Sequence, residues 1–91
     1  MEEAIDFYSQ AIELDNTNAV FFSNRANVYI ALEQFGKAIE DAESAINVNP
    51  QFTKAYLRKA LALYEMPQVE GSVQKAVETI DQALASISEE D

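Results

Sequence analysis

The chain has 91 residues, enough for one small domain, and its 48% hydrophobic and 24% charged residues are a globular balance rather than a disordered one. It contains neither Cys nor His, which removes disulfides, thiolate metal sites, Cys nucleophiles and the commonest general base together. A formal charge of -10 repels phosphate backbones and anionic lipid, so nucleic acid and membranes are poor partners for the whole molecule.

No stretch approaches the roughly 18 apolar residues of a membrane span. Met1-Glu2-Glu3 is acidic where a secretory signal is basic, so a cytoplasmic or nuclear address is expected. The charge is unevenly spread. Thr17 to Tyr64 holds five bases (Arg25, Lys37, Lys54, Arg58, Lys59) against four acids (Glu33, Glu40, Asp41, Glu43), and Lys75 is the one base outside it. A mildly basic middle therefore lies between acidic ends.

In chain order, Ala4, Tyr8, Ala11 and Ile12 set a helical spacing that predicts a helix over about 2–14, closed by the polar run Asp15-Asn16-Thr17-Asn18. A second helix is predicted over 19–32 and a third over 35–48. The third carries Ala38, Ala42, Ala45 and Ile46 in the same spacing and stops at Asn49-Pro50, because a residue before Pro leaves the helical region. A fourth is predicted over 53–65 and a fifth over 72–87. Met66 to Ser72, with Pro67 and Gly71, separates these two.

The elements repeat. A shift of 34 residues places Ala4 on Ala38, Ile5 on Ile39, Ala11 on Ala45, Ile12 on Ile46, Phe22 on Tyr56, Arg25 on Lys59 and Ala26 on Ala60. Ala76, Val77, Ile80, Ala83 and Leu84 form a third copy displaced by 38, so about four residues are inserted near 66–72. Residues 1–18 then read as the second half of a repeat, 19–52 as a full repeat, and 53–91 as a third with the insertion. Such antiparallel pairs at a fixed period predict an all-α solenoid, a single domain with a concave inner face.

The period of 34, with Ala26 and Tyr29 on one helix and Ala38, Ala45 and Pro50 after it, resembles the tetratricopeptide repeat over nearly the whole chain. Phe22, Arg25 and Asn16 depart from it, standing where that family more often has Trp, Leu and Pro. The segments Phe21 to Ala26 and Thr53 to Ala60 are similar to the repeats of carboxylate-clamp co-chaperones, of the phosphatase-5 type and the plant-type suppressor of G2 allele of skp1. The resemblance implies that acidic C-terminal tails of the seventy- and ninety-kilodalton heat-shock chaperones are held by Asn24, Lys54 and Arg58. Two further clamp positions belong to a helix that would precede residue 2.

The spacing of these residues supports the same assignment on its own. Asn24 and Arg58 differ by one period and so occupy equivalent places on neighbouring inner helices. Lys54 and Arg58 are four apart and share a face. A guanidinium fork, a mobile ammonium and an amide on one strip suit an extended peptide ending in a carboxylate. Asn27, one turn beyond Asn24, is a further candidate for the groove. Arg25 and Lys59 lie on a different face and are expected to pack. The nine aromatics are expected to be mostly core, with Phe21 or Tyr56 as the candidates to flank the groove.

Catalysis is not expected. Glu2/Glu3, Glu40/Asp41 and Glu89/Glu90 are neighbours in sequence and read as solvated charge, and Gly36 and Gly71 stand alone. No cofactor or metal is implied. The competing reading is a repeat scaffold for self-association or complex assembly with no peptide groove in use, a homodimer through the apolar stripe of the helix over 2–14 being one form of it. The acidic tail Ser88-Glu89-Glu90-Asp91 is a third expectation, as a ligand for a neighbouring molecule's groove.

Overall fold

The computed structural model describes residues 2–66 and 71–89. Within them lie five α-helices: α1 (Glu2–Leu14), α2 (Ala19–Ala31), α3 (Phe35–Val48), α4 (Thr53–Glu65) and α5 (Ser72–Glu89). All five predicted helices are present, with α2 ending one residue earlier and α5 two residues later than expected. Residues 67–70 of the insertion, and the end of the acidic tail, fall outside the described residues.

Local chemistry explains the boundaries. The Asp15 carboxylate accepts from the backbone N–H of Thr17 at 3.0 Å and from its hydroxyl at 2.5 Å, closing the turn after α1. These two bonds hold the exposed carboxyl below its ordinary pKa. Asn18 then caps α2 by accepting from Val20 N–H at 3.0 Å. At the far end of α2, Glu33 N–H bonds Ile30 O and Gln34 N–H bonds Tyr29 O, at 2.9 and 2.8 Å, a Schellman closure. It places Glu33 at φ 61°, in the left-handed region that glycine usually fills. α3 stops where Asn49, preceding Pro50, is extended, and the Asn49 side chain accepts from Gln51 N–H.

The helices stack in chain order: α2 packs on α1, α3 and α4, α3 on α4, and α4 on α5. Ala26, Ala38, Ala42, Ala45, Ala55 and Ala62 are fully buried at the crossings, where small side chains let the helix backbones approach. Tyr29, Phe35 and Ile39, and then Phe22, Ile46 and Phe52, fill the grooves around them. The result is a slab of 37 × 32 × 13 Å. Tyr56 is buried, and its hydroxyl donates to Pro50 O at 2.6 Å and lies 3.2 Å from Ser86 Oγ, so it belongs to the core and not to the groove.

Two expectations are corrected. Phe7 and Tyr64 are not core but 66% and 65% exposed, because among the described residues α1 packs on α2 alone and Tyr64 sits on the end face of α4. Asp41 is not solvated charge. It is buried, and both of its oxygens accept from Arg25, at 2.7 Å each, while Arg25 Nη1 donates to Ser9 Oγ at 2.9 Å. One guanidinium thus ties α1, α2 and α3. The same positions in the next repeat are Lys59, Glu43 and Thr79. There Lys59 Nζ reaches Glu43 at 3.3 Å, and the Thr79 hydroxyl turns back to Lys75 O on its own helix.

Candidate peptide groove

The inner layer is made by α2 and α4, which run in the same direction and pack against each other. The 34-residue phase sets Val20 against Lys54, Asn24 against Arg58, Asn27 against Leu61 and Ala31 against Glu65, each column following the 4-3-4 spacing of one helix face. Lys54 and Asn27 are exposed, and Asn24 and Arg58 are half-buried. All four predicted site residues therefore lie on these two helices. The Lys54 and Arg58 end coincides with the N-terminal turns of α4, where free backbone N–H groups add positive potential.

Arg58 Nε is buried and is the one such side-chain nitrogen or oxygen among the described residues without a hydrogen-bond partner. No carboxylate lies within ion-pair distance of Lys54 or Arg58 among those residues, whereas Arg25 and Lys59 are both engaged. The Asp41 bonds raise the Arg25 pKa and hold that cation within the fold, so Arg25 and Lys59 are packing residues as expected. Among the described residues no group of three Asp or Glu is placed to hold a metal ion.

The other end of the inner layer opens into a cavity of about 640 Å³. Asn27 is the sole predicted site residue lining it; Ile30, Ala31, Phe35 and Leu61 make its apolar wall, and Glu33 and Glu65 its acidic rim. This part of the surface was missed in the sequence, although Leu61 and Glu65 continue the Lys54, Arg58 spacing. The inner layer is thus polarised, cationic at the start of α4 and acidic at its close.

A family model described as "Tetratricopeptide repeat" matches residues 7–40. The solved TPR domain of Arabidopsis OM64 is 30% identical and superposes with a TM-score of 0.81 over 93% of this chain and 67% of that one. The chain belongs to the tetratricopeptide repeat family. The TPR chain also superposes on the TPR2B domain of yeast Sti1, from a structure described as a complex with pHsp70. There the TM-score is 0.83 at 33% identity, covering 93% of this chain and 65% of that one.

Among curated relatives, the TPR chain is 43% identical over 70 residues to "Heat-shock protein cognate (HSC) co-chaperone sgt12" of Aspergillus fumigatus, covering 77% of the chain and 20% of the relative. It is 46% identical over 59 residues to human "Serine/threonine-protein phosphatase 5", covering 65% of the chain and 12% of that enzyme. The chain thus spans a fifth or less of either relative, and the phosphatase match falls in the repeat region alone. Among the described residues no helix is long and apolar enough to cross a membrane.

Proposed function

We propose that this TPR chain is a protein-interaction module that holds the acidic C-terminal peptide of a heat-shock chaperone, of the seventy- or ninety-kilodalton class, against the inner layer. The observation that carries the reading is Arg58, whose buried Nε has no partner while Lys54 stands exposed one turn away. A buried donor left unpaired costs about 1–3 kcal/mol, a cost that an incoming carboxylate removes. The terminal carboxylate lies at the Lys54–Arg58 end, and Asn24 and Asn27 bond the peptide backbone. The co-chaperone relative and the Sti1 complex support this assignment. The working compartment on this reading is the cytoplasm.

The test is titration with a peptide ending Glu-Glu-Val-Asp against the same peptide amidated at its C-terminus. Amidation and Arg58→Ala are each expected to weaken binding at least about tenfold, the equivalent of one charge-assisted bond. Binding that survives both rules the clamp out. The scaffold reading has one observation in its favour. α1 contains no buried residue, and its Phe7 and Leu14 are exposed, Leu14 at 89%.

A further inference from the structure

The end of the slab formed by α4 and α5 carries a second surface, which adjoins the inner layer and shares only Leu61 with its cavity. Leu57, Leu61 and Tyr64 on α4 and Val73, Val77 and Ile80 on α5 are 38% to 65% exposed. With Ala60 and Ala76 they line a groove of about 350 Å³ whose lining bears no charged residue. From these exposures the six large side chains present on the order of 500 Å² of apolar surface, near the top of the range for the largest patch on a soluble monomer.

We propose that a second copy of this chain docks here across a twofold axis. Val73, Val77 and Ile80 recur at spacings of four and three, and Leu84 continues at four, which is the a/d seam of a helix that packs against a like helix. Laid antiparallel on itself, this seam sets Val77 against Ile80 of the partner subunit, so the pattern is self-complementary. Pairing buries the patch twice, about 1,000 Å² in all, which reaches the threshold of a specific interface. The α1 face is smaller and sits among Glu2, Glu3, Asp6 and Glu13, so a second copy there meets acid with acid. Head-to-tail docking of α1 on this groove leaves an open chain of subunits rather than a closed pair.

The proposal also fixes the salt dependence. Two subunits of charge -10 repel, and added salt screens that repulsion, so pairing strengthens in the conditions that weaken binding of an acidic peptide to Arg58.

The experiment is sedimentation equilibrium of the 91-residue chain from micromolar to submillimolar concentration, at low and high NaCl, with Val77→Glu, Leu57→Glu and Leu14→Glu beside the wild type. A monomer–dimer equilibrium tightened by salt is expected. Val77→Glu and Leu57→Glu, each at a site about half exposed, are expected to retain wild-type helicity and weaken pairing at least about tenfold by placing a charge in the seam. Should either variant lose helicity, the other decides. Leu14→Glu is expected to pair as the wild type does. A chain that is monomeric throughout, or that assembles past the dimer, overturns the proposal. So does pairing lost in Leu14→Glu but kept in the two seam variants. Arg58→Ala is expected to weaken peptide binding but to leave pairing intact, which keeps the two sites distinguishable.

Discussion

Asp41 shows what a residue-by-residue reading can miss. It shares the buried stripe of α3 with Ala38, Ala42 and Ala45, and that placement was visible in the sequence. Its neighbour Glu40 drew it into a solvated pair instead. The partner, Arg25, departs from the family pattern, and the departure now has a cause: its side chain spans from Ser9 to Asp41. Removing one partner leaves a buried charge alone, which costs far more than removing both. Arg25→Leu is therefore expected to cost about 3 kcal/mol in urea unfolding, and adding Asp41→Ala to recover most of it. A double variant as unstable as the single one would show that the loss came from packing rather than from the stranded carboxylate.

Helix placement was legible almost to the residue, since Asp15 and Asn18 mark the turn between α1 and α2, Asn49 and Pro50 mark the close of α3, and alanines mark the packed faces. The close of α2 was not. Its left-handed residue is Glu33, where no glycine marks it, while Gly36 falls inside α3 with open space around it. A side chain held at φ 61° is strained by about 1 kcal/mol relative to glycine. Glu33→Gly is expected to raise stability by about that amount, seen as a higher Tm, provided the Gln34 to Tyr29 closure persists. A lower Tm would mean that the greater freedom of glycine in the unfolded chain outweighs the strain relieved.

For the whole molecule, the repeat phase is enough to place Asn24 and Arg58 at equivalent points of α2 and α4, because stacked helices of one period repeat their faces. The uncovered end at α4 and α5 was not legible. A repeat writes the same apolar pattern whether or not another helix packs upon it, so Tyr64 reads like core. Net charge gives a further expectation at this scale. Like charges on a -10 slab oppose compaction, so raising NaCl from about 10 to 150 mM is expected to raise the Tm, the Arg25–Asp41 tie being too buried to be screened much. A Tm that falls with salt would place the balance with the surface ion pairs.

The two hairpins are braced unequally. Between α2 and α3 a guanidinium clasps a carboxylate; between α4 and α5 the corresponding lysine reaches back to α3 and the threonine keeps to its own helix, leaving the Tyr56 hydroxyl near Ser86 as a light fastening. Polar bracing therefore thins along the slab, and the α4–α5 pair is held chiefly by apolar packing around Ala60, Leu63 and Ala76.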